Sequence, residues 1–320
     1  MTDSDILIGG EPINADTIGL DSRLDPKKKK QYIIIGSISL VILVLIIIII
    51  VLAITSNGSS ENKNDNGGKG SNRDPNSALG EITLHYSVRS TEMPTLIISE
   101  NFEQKSDIDI YDGTTYVPYT TQYTFSQTGN RNLNVKIFSE LSMNSMFKGV
   151  SALTQVNMKS EKNLKITSLE STFEDCTQLS NFEIKGFDTS KITSLKRTFH
   201  NTYLGSIDLK ELNLDNVKDM SYMFANTKLT SIDLSGLKTE QVESMEGMFK
   251  NSEQLNSLDL SNFNTQSVKD MNGMFEGCTS LRDININPQT FITSKVTNMS
   301  HMFAFCSSLK NPYVQNLIQN

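Results

Sequence analysis

The sequence predicts an α/β solenoid of about seven repeats, each of 25–28 residues, preceded by a small β-rich domain and a single transmembrane helix. Three observations predict it. A string of the form V/I-x-x-M/L-x-x-M/T-F recurs, ending on Phe147, Phe173, Phe199, Phe224, Phe249, Phe275 and Phe303, with Glu140 in the aliphatic slot of the first copy. A second string, L-x-x-I/L-D-L, spans 204–209, 229–234 and 255–260 and, in divergent form, 281–286. Ahead of both lies an uncharged apolar run, Tyr32–Ile54. A fixed period in this range is the signature of a repeat array.

The first string sets apolar residues at i, i+3, i+6 and i+7, as in Val217, Met220, Met223 and Phe224. That spacing predicts a short helix or 3₁₀ segment with one buried side. The last three residues of the second string alternate apolar, polar, apolar, the period of a strand with one buried face. Strand, turn and helical segment in 25 or 26 residues is the leucine-rich-repeat plan. One such unit cannot bury its own apolar face, so neighbours must stack. Equivalent residues then form ladders: Leu255/Leu281 and Leu258/Ile284 on the strand side, Met245/Met271/Met299 and the seven Phe on the other.

The stretch Leu258 to Cys278, Leu-Asp-Leu-Ser-Asn-Phe-Asn-Thr-Gln-Ser-Val-Lys-Asp-Met-Asn-Gly-Met-Phe-Glu-Gly-Cys, resembles the BspA-type leucine-rich repeat, also called the DUF285 family. The resemblance covers residues 138–320. It implies an extracellular surface protein of a kind linked to adhesion and partner binding, with no shared catalytic residues to transfer. The second and third repeats depart from the pattern: Leu169 and Leu195 replace the first Met, Thr172 and Thr198 the second.

The remaining chain divides by composition. Residues 1–30 are polar, end in Lys27-Lys28-Lys29-Lys30 and read as a disordered cytoplasmic tail. Within them Asp3-Ser4-Asp5-Ile6-Leu7-Ile8 resembles an acidic dileucine sorting signal, or is simply part of that tail. Residues 31–55 contain the apolar run, and about 20 such residues span a bilayer. The four lysines on its N-terminal side predict a type II, single-pass plasma-membrane protein with the repeats extracellular. Residues 56–80, rich in Asn, Gly and Ser, read as a flexible stalk. In 81–137, Ile82, Leu84, Tyr86 and Val88 alternate with polar residues, predicting a half-buried strand in a small β-rich domain that caps the first repeat.

A net charge of −7 favours no nucleic-acid partner. No HExxH, GxSxG or Gly-rich phosphate loop occurs, so an enzyme is not expected, nor any cofactor. Asp107-Ile108-Asp109 resembles the Asp-x-Asp motif of glycosyltransferases, and a lumenal type II enzyme of that class is one alternative. The 57 residues around it are too few for a nucleotide-binding α/β domain. The Met-x-x-Met pairs have a spacing seen in Cu(I) sites, but Leu and Thr share their slots, which points to core. Cys176, Cys278 and Cys306 each stand three residues after a repeat Phe, a slot for a small buried residue. Cys278 and Cys306, in adjacent repeats, can bridge only if their Cα atoms stack within about 7 Å. Asn57 and Asn298 head glycosylation sequons.

The candidate binding surface is a polar row between the inward apolar positions of the strands: Asn157, Glu183, Asp208, Asp233, Asp259 and Asn285. Stacked about 4.8 Å apart on one solvated face, four carboxylates repel and call for a cation, a basic partner or raised pKa values. The plain alternative is that exposed charges repel weakly and hydrogen-bond to nearby turns. The expected function is therefore non-catalytic binding of a protein or cell-surface ligand through Glu183, Asp208, Asp233 and Asp259, flanked by Ser206, Ser231, Ser257 and Ser261. A structural coat that self-associates through its repeats is the second alternative.

Overall fold

The computed structural model describes Leu7–Ile8, Glu11–Pro12 and residues 73–310. The chain separates into two units, Met1–Gly67 and Gly68–Asn320. In the first, strand β1 (Leu7–Ile8) pairs antiparallel with β2 (Glu11–Pro12).

The second unit opens on a 3₁₀ turn, Pro75–Ser77, whose first turn is capped by Asp74 accepting from the Asn76 N–H at 2.9 Å. Strand β3 (Gly80–Val88) follows, and its side chains alternate without a break between buried and half-buried. Ile82, Leu84, Tyr86 and Val88 are at most 3% exposed, as the alternation predicts. Next come β4 (Thr95–Leu96), β5 (Ile108–Asp112), β6 (Thr115–Val117), β7 (Gln122–Tyr123), β8 (Gly129–Ile137), β9 (Leu141–Ser142), β10 (Leu153–Ser168) and β11 (Asn181–Asp188). These build a sheet ordered β11-β10-β3-β8-β5-β6, with β9 beside β10 and the short pair β4-β7 apart from it. Strand β3 lies antiparallel to β10, the first long strand of the repeats. The strands of 81–137 and the first repeats therefore share one sheet. Strands β12 (Ser257–Leu260) and β13 (Asp283–Ile286) pair in parallel further along the array, Leu258 opposite Ile284. Between β11 and β12, the segments 204–209 and 229–234 bury their first and last leucines and expose residues between them, without forming a regular ladder.

The α/β expectation is corrected: among the described residues there is no α-helix, and the repeats form a β-solenoid. The segment Met143 to Val150 shows what replaces the helix. The N–H groups of Met146, Lys148 and Val150 close turns onto the carbonyls three residues back, while those of Ser145, Phe147 and Gly149 donate to Glu170, Thr172 and Glu174 of the next coil. Helical bonding needs every N–H to stay within the segment; here half of them leave it. Left-handed residues enforce the pattern. Ser145, Ser171, Arg197, Tyr222, Gly247, Gly273 and His301 have φ between +51° and +59°. Gly149, Asp175, Asn201, Asn226, Asn251, Gly277 and Phe305, four residues later, lie between +56° and +77°. Tandem turns reproduce the apolar spacing of one helical face while leaving alternate amides to bind the neighbour.

A second ladder marks the entrance to these turns. Single parallel bridges connect Ser194, Asp219, Ser244, Asp270 and Asn298 in succession, and Ser142 pairs with Ser168 at the start of the array. Each of these seven side chains accepts the N–H two residues ahead at 2.8–3.4 Å. Ser, Asp and Asn are the residues that make such local turns. Inside the coil, the seven Phe rings stack in one file, centroids 5.3–5.9 Å apart and planes within 3–17° of parallel. Each such pair adds about 0.5–1.5 kcal/mol to the burial of the rings themselves.

The membrane expectation is also corrected. Among the described residues no helix is long and apolar enough to cross a membrane. A single helical span needs its backbone bonded within the helix as well as apolar length. The single-pass type II plasma-membrane topology rested on apolar length and on the four lysines before it, and residues 31–55, on which it was placed, lie outside the described residues, as do the tail lysines and most of the 56–80 stalk.

Candidate interaction surface

The polar row lies on the exposed strand face. Glu183, Asp208, Asp233 and Asp259 are all exposed, as are Ser206, Ser231 and Ser257, while Ser261 is half-buried. Glu183 stands in register opposite Asn157, and Asp259 opposite Asn285. Three of the carboxylates also hold the turn that follows them. Asp208 accepts from the Lys210 N–H at 3.0 Å, Asp233 from Ser235 at 3.0 Å and Asp259 from Ser261 at 2.9 Å. Donors reach across coils too: Lys210 Nζ lies 3.1 Å from Asp233 Oδ2, and Asn285 Nδ2 donates to Asp259 at 3.2 Å.

These donors decide the electrostatics. The Ser235 hydroxyl and amide and the Lys210 ammonium hold the Asp233 carboxyl down to about 2. The Ser261 hydroxyl and amide, with Asn285, lower that of Asp259. Both shifts run opposite to the rise that uncompensated repulsion would cause. The chain supplies the compensation itself, and both carboxylates stay ionised at neutral pH. Among the described residues no group of three or more His, Cys, Asp or Glu is arranged to hold a metal.

Other sequence candidates resolve into structure. The pairs Met143/Met146, Met220/Met223, Met245/Met248 and Met271/Met274 are fully buried in the core, with Met302 nearly so and Met299 half-buried. In the departing repeats the Thr172 hydroxyl donates to the Met143 carbonyl at 2.8 Å, and that of Thr198 to Leu169 at 2.9 Å. A buried hydroxyl is tolerated there because a backbone acceptor is in reach. The cysteine slot works alike: Cys176, Cys278 and Cys306 donate to the Phe147, Phe249 and Phe275 carbonyls of the preceding coil at 3.0–3.1 Å. Ser252, in the same slot, donates to Phe224. All three cysteines are free, and burial pushes the thiols up, to about 12 for Cys278 and about 11 for Cys306. Asp107 accepts from Gln104, and the buried Asp109 lies 3.7 Å from Arg73, so the Asp-x-Asp pair is engaged within the fold. Asn298 accepts from Ser300 inside its turn, and Asn57 lies outside the described residues.

One polar network was not foreseen. Residues next to the stacked Phe carry Lys148, Glu174, His200, Lys250 and Glu276, a signal present in the repeat alignment. Glu174 is only 3% exposed, with Lys148 Nζ 2.9 Å from Oε2 and Arg197 Nη1 3.0 Å from Oε1. Burial raises its pKa, but hydrogen bonds from Lys148, Ser171 and Arg197 and the Lys148 charge outweigh that and leave it lowered. The Arg197 guanidinium also lies 5.1 Å above the Tyr222 ring, whose hydroxyl donates to Glu246 at 2.7 Å. Five coils are thus cross-linked on the turn side, where long charged side chains hold position through their neighbours.

Residues 141–257 and 202–317 match the model of a family described as Mycoplasma protein of unknown function, DUF285. That description bears out the family half of the resemblance and carries no BspA-type leucine-rich-repeat name. No curated protein matches the chain, and no solved structure does.

Proposed function

We propose that this chain, which belongs to the DUF285 family, is a non-catalytic recognition protein whose solenoid offers its exposed strand face to a basic protein partner. The observation that supports the reading most is the row Glu183, Asp208, Asp233 and Asp259, one carboxylate per coil, exposed on successive turns of a closely stacked array. A partner laid along this face meets several coils at once, and a stacked solenoid keeps their spacing fixed. The lowered pKa values of Asp233 and Asp259 favour the charged form that a cationic partner would need. The flanking Ser206, Ser231 and Ser257 add hydroxyls that both donate and accept. The motifs that suggested chemistry are used within the fold, which favours binding over catalysis.

The test replaces Glu183 by Gln and Asp208, Asp233 and Asp259 by Asn. Asn keeps the side-chain oxygen that closes each turn, so the melting temperature is expected to stay within the shift of a neutral surface change, about 0.5 kcal/mol. Binding of a fluorescent lysine-rich peptide, read by anisotropy, is expected to weaken by about tenfold or more, since exposed pairs contribute up to about 1 kcal/mol each. Unchanged binding removes the strand face as the recognition surface.

A further inference from the structure

Two residues after the stacked Phe, the middle coils carry Asn201, Asn226 and Asn251. All three are left-handed, with φ between +56° and +58°. Their backbone N–H groups donate to the Ala225, Lys250 and Glu276 carbonyls of the following coils, which fixes the root of each side chain. A carboxamide has two N–H donors and a carbonyl acceptor. Asn201 Nδ2 donates to Asp175 at 2.9 Å, Asn226 Nδ2 bonds His200 Nε2 at 3.2 Å, and Asn251 Nδ2 donates to the Asn226 carbonyl at 3.1 Å. Among the described residues each carboxamide keeps a second N–H, and Asn201 keeps its carbonyl.

Two residues further on stand Tyr203, Lys228 and Glu253, in a slot where the coils on either side have Thr177 and Thr279. The backbone accounts for Asn in a left-handed position. It does not account for Tyr203. That ring is 58% exposed and, among the described residues, meets no other ring. Lys228 and Glu253 form no ion pair there either. These side chains and the three carboxamides line one shallow cleft of about 410 Å³ that crosses four coils. Its volume lies within the range of small-ligand sites, about 300–1,000 Å³.

We propose that this cleft binds a pyranose unit of a neutral glycan, at a site apart from the carboxylates of the strand face. A pyranose has an apolar C–H face, which covers the Tyr203 ring, and a rim of hydroxyls that both donate and accept. The remaining N–H groups of Asn201, Asn226 and Asn251 and the Asn201 carbonyl bond that rim. Glu253 and Lys228 add the stronger hydrogen bonds of ionised groups. A phosphate-bearing ligand fits poorly, because Lys228 is the one cation lining the cleft, Glu253 lines it too, and the chain carries a net charge of −7. An extended peptide would need free main-chain groups or apolar pockets, and the backbone N–H groups of the Asn row are already taken by the next coils.

The test is a microarray of neutral, sialylated and sulfated glycans, probed with the fluorescently labelled full chain and its variants. The chain is expected to bind a subset of the neutral glycans. Tyr203→Ala is expected to weaken that binding by about tenfold or more, as the loss of an aromatic anchor does, and Tyr203→Phe to retain it. Asn251→Gly keeps the left-handed freedom and removes the carboxamide, so a loss of about threefold is expected. Tyr203 and Asn251 are exposed, so the variants are expected to melt close to the parent chain. Asp208→Asn with Asp233→Asn on the strand face is expected to leave glycan binding unchanged. Four results would each overturn the proposal: no neutral glycan bound, binding confined to sialylated or sulfated glycans, full affinity in Tyr203→Ala, or binding that falls with the strand-face pair.

Discussion

Phe224→Ala is expected to destabilise the solenoid by about 3–5 kcal/mol, the usual range for emptying a fully buried Phe site. Phe224 is fully buried and stacked on both faces, 5.8 Å from Phe199 and 5.8 Å from Phe249. Its loss opens a cavity and removes two ring contacts at the middle of the file. In a stack where each coil touches only its neighbours, that break divides the array into two shorter ones. Phe303→Ala is the internal comparison. That ring is half-buried and, among the described residues, stacks on Phe275 alone, so a smaller cost is expected. The chain has no Trp, so chemical denaturation followed by far-UV circular dichroism is the suitable readout. Equal costs at the two positions would show that the file of rings does not hold the coils together.

Gly186→Ala is expected to cost at least about 3 kcal/mol, from left-handed strain and overpacking together. Gly186 has φ of +73°, and an added Cβ would lie 2.0 Å from the Ser160 carbonyl oxygen. Backbone cannot step aside there, because the register of β10 against β11 shifts between Lys159 and Leu164 around this point. The Ser160 hydroxyl fixes the shift, donating to Leu79 and accepting from the Lys162 and Leu164 amides. Gly149→Ala separates strain from collision. Gly149 has φ of +77° with open space around its Cβ position, so only the left-handed cost of about 1–2 kcal/mol is expected. Equal thermal shifts for the two variants would mean that the close approach to Ser160 carries no weight.

Much of this architecture is legible in the sequence, and what is not has a physical reason. The period, the Phe file and the buried Met pairs follow from which slots stay apolar. Helix and tandem turns could not be separated, because apolar residues at i, i+3 and i+7 serve both. The discriminating residues are the left-handed ones, and Ser171, Arg197 and Tyr222 do not advertise that conformation. The row Gly149, Asp175, Asn201, Asn226, Asn251 and Gly277 does, being almost wholly Gly, Asn and Asp, the types that adopt it most readily. The acidic row was legible as a row, with bonding to nearby turns as one of its two readings, but the amide that each carboxylate takes was not. That role depends on the amide two residues ahead, as between Asp233 and Ser235, which hydropathy does not register. The apolar run 32–54 has the length of a membrane helix, which is necessary for one and not sufficient.

The helix-free coil is tested most directly by its rise on the turn side. Packed helices need about 8–10 Å between axes, whereas the Phe file advances 5.3–5.9 Å per coil. Spin labels on Thr177→Cys with Glu253→Cys, and on Thr177→Cys with Thr279→Cys, span three and four coils at exposed positions. The raised pKa of the buried native Cys176 and Cys278 keeps them from competing for label, and Cys306→Ser, matching the hydroxyl of Ser252, removes the third. Pulsed electron–electron resonance is expected to show the two distances differing by a single step close to the 5.9 Å between the Phe249 and Phe275 rings. A difference of about 8–10 Å would restore helices to the coils and contradict the fold described.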